Sequence, residues 1–183
     1  MSLTINRRNE IENIANTLLL SVNALQIPIS IESLIKSLGF ELKVMNFPDD
    51  TTTSMIIVND DAKIENTNTH RLIATCGKLS PERSRFIIAH ELGHFMLHKP
   101  ENEPLFAHRD TEKSRSNNKP EEAEAEFFAR VLLMPSIAVE QAIEYFKSNN
   151  LKSFDSIFDF TSAIFEVTPS KASIRLTELN LPS

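Results

Sequence analysis

Between residues 7 and 20, Ile11, Ile14, Ala15, Leu18 and Leu19 recur at helical spacing, which predicts an amphipathic helix. Pro28 interrupts the chain. Ser30 reads as the N-cap of a second helix carrying Ser33, Leu34, Ile35 and Leu38, which Gly39 ends. The period then shortens to two. Phe40-Glu-Leu-Lys-Val-Met45 alternates as a strand does, and residues 49–52 carry turn chemistry. Residues 53–58 and 71–75 predict two further strands, joined by a polar, hairpin-like stretch at 59–69. Three strands in succession imply a small, mainly antiparallel sheet.

The helical period returns at Ser80-Pro81, which combines a Ser N-cap with Pro at the first helical position. That helix runs to about His98 and is closed by Pro100. Gly93, inside it, costs about 1 kcal/mol relative to Ala. It either admits another backbone or a substrate, or is a tolerated defect. Residues 99–119 form a long polar link ending in a Ser/Asn-rich stretch. A second strong helix is predicted over 121–134, broken at Pro135, followed by helices at about 136–147, 154–165 and 169–180. The last two meet at Val-Thr-Pro-Ser and have the outline of a helix-turn-helix. Their acidic surroundings favour a packing role over DNA binding. The class is therefore α+β. One domain over 1–183 is expected, with N-terminal helices at 1–39, a sheet and two long helices at 40–135, and C-terminal helices at 136–183.

Composition narrows the picture. The 183 residues are 41% hydrophobic, enough for a core, and twelve Phe against one Tyr and no Trp suit core filling. A net charge of −6 without a basic stripe argues against direct nucleic-acid binding. One Cys excludes an internal disulfide framework and fits a reducing compartment. Leu72, Ala74 and Cys76 would share one strand face, so Cys76 reads as a small buried hydrophobe. No apolar run reaches the ~20 residues needed to span a membrane, and no signal-type segment opens the chain. A cytoplasmic protein is expected, with no membrane partner. Its oligomeric state is not legible.

The most informative run is His90-Glu-Leu-Gly-His94, an H-E-x-x-H pattern in the middle of a predicted helix. His90 and His94 sit on one helical face about 6 Å apart along the axis, a spacing that suits one Zn²⁺. Glu91 points roughly 100° away, where it can hold a water rather than the ion. A catalytic zinc site normally has a third protein ligand. The candidates are His70, His98, His108, Glu121, Glu122, Glu124 and Glu126. His98 has drifted about 80° and 12 Å from His90 along the helix, so it caps or packs near the site instead. Glu121 and Glu122 flank the apolar face of the next long helix, and helical geometry does not choose between them.

The segment Phe86-Ile-Ile-Ala-His-Glu-Leu-Gly-His94, ending in Leu97-His98, is similar to the core of the ImmA/IrrE family of metallo-endopeptidases. So is Glu122-Ala-Glu-Ala-Glu-Phe-Phe-Ala-Arg-Val-Leu-Leu-Met-Pro135. The family pattern places a Glu thirteen residues before the Pro, so the resemblance makes Glu122 the third zinc ligand, with Glu121 the fallback. Glu126 stands where the family often has Asn, and Ile87 where it often has Thr. The resemblance implies a small zincin-like fold with the motif helix packed under a short sheet.

The expected function is zinc-dependent endopeptidase action. His90, His94 and Glu122 would hold Zn²⁺, and Glu91 would be the catalytic base. His70, His108 and Tyr145 are weak candidates for stabilising the oxyanion. By resemblance, the protein substrate is a regulator, a helix-turn-helix transcriptional repressor. The alternative is a non-proteolytic antirepressor that binds such a regulator, with zinc structural or vestigial. A third option is a zinc hydrolase acting on a small molecule.

Overall fold

The computed structural model describes residues 3–49, 51–111, 119–149 and 154–181. Two helices, α1 (Ile5–Ser21) and α2 (Ile31–Ser37), precede three strands, β1 (Glu41–Met45), β2 (Thr52–Asn59) and β3 (Arg71–Cys76). The motif helix α3 (Pro81–His98) is followed by β4 (Leu105–Thr111) and a second long helix, α4 (Pro120–Leu133). Helices α5 (Ser136–Asn149), α6 (Ile157–Phe165) and α7 (Pro169–Glu178) complete the order. The expected α+β class, with a motif helix and a helical C-terminal region, is what the chain forms.

Local signals act where the sequence puts them. Ser80 Oγ accepts a hydrogen bond from the Arg83 backbone N–H at 3.3 Å, capping α3 behind Pro81. Gly39, with φ +79°, provides the left-handed turn between α2 and β1. Ser30 does occupy an N-cap position, but its hydroxyl bonds Ser33 Oγ rather than a backbone N–H.

The sheet is mainly antiparallel, as expected, but carries a fourth strand and one parallel pairing. Its order is β1-β3-β2-β4, a four-stranded mixed sheet. β2 pairs antiparallel with both β3 and β4, whereas β1 lies parallel to β3, so the first strand joins the far side of the third. The fourth strand lies within the stretch read from the sequence as a polar link. The Ser/Asn-rich end of that stretch, at 112–118, lies outside the described residues. Cys76, expected to be buried, is partly exposed at the end of β3.

One face of the sheet lies on α3. Along β2, Ser54, Ile56 and Val58 point inward, and β4 turns Phe106, His108 and Asp110 the same way. Nine successive positions of α3, Phe86 to His94, are buried, because α3 has the sheet on one side and α4 on the other. Ile56, Ile73, Ile88, Leu92, Phe128 and Leu132 belong to the resulting core. The two C-terminal helices pack through Phe165, Ala172 and Leu176, also core residues. No helix among the described residues is long and apolar enough to cross a membrane.

Gly93 sets the separation of α3 and α4. A Cβ there would stand 3.1 Å from the Cα and carbonyl O of Ala125 and from Phe128 Cδ1. Two of those atoms are backbone, so relief requires α4 to move away. A Gly93→Val substitution should therefore lower stability by about 1–3 kcal/mol, despite the helix-propensity penalty that glycine carries. Urea unfolding monitored by circular dichroism measures it.

Candidate metal centre

The close approach of α3 and α4 brings three buried side chains together. His90 and His94 project from α3 and Glu122 from the first turn of α4. The Nε2 atoms of the two histidines are 3.1 Å apart. Glu122 Oε2 lies 3.4 Å from His90 Nε2 and 3.7 Å from His94 Nε2. Donor atoms bonded to one tetrahedral zinc at about 2.0–2.1 Å are separated by about 3.3–3.4 Å. The spacing fits a single ion. Glu122 Oε2 is also buried without a hydrogen-bond partner among the described residues. Two ring nitrogens aimed at one another and at a carboxylate oxygen are satisfied together by one cation. Among the described residues, these three form the group that could hold a metal.

The electrostatics favour the ligand protonation states. Burial lowers the His94 pKa, and the Glu122 carboxylate opposes this without reversing it, so the imidazole stays neutral. Burial would raise the Glu122 pKa, but the facing imidazoles of His108, His90 and His94 hold it well below the usual carboxylate range.

Glu91 faces the other way, toward the sheet. It is fully buried and is met by polar side chains from two strands. Ser54, the polar member of the inward row of β2, donates to Oε1 at 2.5 Å. His108, on β4, places Nδ1 3.3 Å from Oε2. The same imidazole reaches Glu122 Oε1 with Nε2 at 3.4 Å and stacks on His94 at 3.7 Å between ring centroids. Burial alone would lower the His108 pKa. Hydrogen bonds to Glu122 and Glu91 outweigh this and push it up to about 9. His108 thus joins the base candidate to the third ligand candidate.

The remaining sequence candidates separate cleanly. Glu121 is exposed at the edge of the site. Glu124 bonds Arg7 and His98 rather than the donor cluster. Glu126 pairs with Lys171 and Arg130, and its Oε2 is 3.9 Å from His90 Nδ1. The charge of Glu126 is therefore balanced by two cations. His98 packs against His94 from outside the cluster, as its helical drift implied. His70 bonds the backbone of Asn59, on β2, and Tyr145 is exposed on α5. Of the three oxyanion candidates, only His108 reaches the site. Ser54 went unnoticed in the sequence. Its signal was a single Ser in a β-branched strand, on the inward side.

Two concavities meet at Glu122. One, of about 450 Å³, is lined by Arg83, Ile87, His90, Lys119, Glu122 and Lys171. The other, of about 420 Å³, is lined by His94, Phe106, His108 and Glu122 among others.

A peptidase family model, Peptidase M78, described as the IrrE N-terminal-like domain, matches residues 41–177. The chain belongs to this family. The match spans β1 through most of α7 and includes all three donor residues and Glu91. It supports a metallopeptidase-type function. No curated protein matches the chain significantly.

Two outcomes are expected. Glu122→Ala should abolish stoichiometric metal binding while Glu121→Ala retains it, as read by elemental analysis of the purified proteins. In metal-free protein, the raised His108 pKa contributes stability that is complete below the ordinary value near 6.5 and lost as pH rises through about 9. Urea unfolding between pH 6 and 10 should show that decline, and His108→Gln should flatten it.

Proposed function

We propose that the chain is a zinc-dependent endopeptidase acting on a regulatory protein, a helix-turn-helix transcriptional repressor. The observation that carries the enzymatic part is the convergence of His90, His94 and Glu122 donor atoms beside a buried carboxylate, Glu91. Membership of a peptidase family supports it. The repressor rests on the likeness to ImmA/IrrE proteins alone.

In this reading His90 Nε2, His94 Nε2 and a Glu122 oxygen hold the ion. Zinc, when bound, supplies Lewis acidity, lowering the pKa of a water and polarising the scissile carbonyl. Glu91 accepts the proton of the attacking water and passes it to the leaving amine nitrogen. Ser54 fixes one oxygen of that carboxylate, so the other is the one that exchanges protons. His108, with Nδ1 3.3 Å from that oxygen, can turn its Nε2 from Glu122 to donate toward the developing oxyanion. β4 forms the sheet edge next to these residues, so an extended peptide can add to it as a further strand. The cavities either side of Glu122 then take substrate side chains.

Co-expression with helix-turn-helix repressors encoded in the same locus tests the proposal. Wild type should yield repressor fragments. Glu91→Gln should keep the metal yet lose cleavage by at least about 10²-fold, the scale of general acid–base contributions. Relief of repression by Glu91→Gln equal to wild type would instead favour an antirepressor that binds without cutting.

A further inference from the structure

His90 and His94 are not held alike from behind. His90 Nδ1 is buried without a hydrogen-bond partner among the described residues. His94 Nδ1 lies 3.2 Å from Nδ1 of His98, one turn further along α3. His98 Nε2 lies 3.1 Å from Glu124 Oε2. The Glu124 carboxylate accepts from Arg7 Nε at 2.9 Å and from Arg7 Nη2 at 2.5 Å. Arg7 belongs to the first turns of α1, and the bond spans 117 sequence positions.

The direction of each bond follows from the chemistry of its ends. A guanidinium only donates, and an ionised carboxylate only accepts. Glu124 is therefore an acceptor toward His98, so the His98 tautomer that fits this contact carries its proton on Nε2. Its Nδ1 is then an acceptor, and His94 Nδ1 must donate to it. The proton of His94 is thereby placed on Nδ1. The lone pair is left on Nε2, the atom that faces His90 and Glu122. Each step excludes the other tautomer of the next ring.

We propose that Arg7, Glu124 and His98 form a positioning relay that fixes His94 in the tautomer and orientation needed to bind a divalent metal. The relay rests on the reading of His94 as a metal ligand. Arg7 lies outside the family-matched residues 41–177. Helix α1, which packs on α4, thus completes the metal centre of this chain from beyond the matched segment. The relay also makes the two histidines unequal. His94 is oriented before the metal arrives, whereas His90 has no comparable support.

The test uses the full-length chain and two readouts, Zn²⁺ affinity by competition with a chromophoric chelator and the visible spectrum of the Co²⁺-loaded protein. His98→Phe and Glu124→Gln should weaken Zn²⁺ binding by about 10–100-fold, the range for partners behind a metal-binding His. Arg7→Ala should weaken it less, and Arg7→Lys should recover most of that loss. Glu10→Ala removes the other carboxylate beside Arg7 and should leave affinity unchanged. The double variant Arg7→Ala/His98→Phe should bind no more weakly than His98→Phe alone, because both act through one ring. Each relay variant should also alter the Co²⁺ spectrum. If Arg7→Ala fails to fold, Glu124→Gln, which keeps side-chain size, decides. Unchanged affinities in the single variants, or losses that multiply in the double, would overturn the relay while leaving the centre intact. A wild-type chain binding neither metal would overturn both.

Discussion

The contact of Gly93 with Ala125 is the constraint on which the site depends. Helices carrying ordinary side chains at their contact lie about 8–10 Å apart. Here a residue without a Cβ meets the smallest side chain, and the backbones close to the limit. Glu122 lies one turn before Ala125 on α4, so it inherits that closeness and reaches both histidines across the groove. A wider separation would leave Glu122 short of them. The glycine that weakens α3 as an isolated helix is therefore what allows α3 to share a site with α4.

That geometry gathers charge where charge is expensive. Glu91, Glu122, His90 and His94 are all buried. A buried ion is tolerable only when its partners remain in place. The sheet supplies Ser54 and His108 for Glu91, and α4 supplies Glu122 for the histidines. Helix α4 is itself held by ion pairs on both flanks. Arg7 of α1 pairs with Glu124, while Lys171 and Glu178 of α7 pair with Glu126 and Arg130. Buried Arg175 ties α7 back to Glu12 of α1. The first and last helices thus hold the helix that carries Glu122.

The elements that the sequence showed clearly have strong, one-sided patterns. The Ser80-Pro81 start, the motif helix, the apolar face of α4 and the first three strands fall in the described structure within a few residues of where they were expected. β4 escaped because its inward row is Phe106, His108 and Asp110, with one apolar residue in three. A strand that faces a polar site does not carry the alternation by which strands are recognised. The parallel placement of β1 beside β3 was equally hidden, since local pattern does not encode which strand a neighbour will choose.

By itself, the sequence determined the helix that bears His90, Glu91 and His94, their relative directions around it, and the apolar face of α4. These follow from the 3.6-residue period and from capping chemistry, which act over a few residues. Spacing left Glu121 and Glu122 undecided, and a family pattern pointed to Glu122. Only the tertiary structure showed which donors converge, put His108 and Ser54 against Glu91, and linked Arg7 to Glu124. The physical reason is that hydrogen bonds and ion pairs between distant segments depend on distances of a few tenths of an ångström. Those distances are fixed by how the helices and sheet pack, after each has formed.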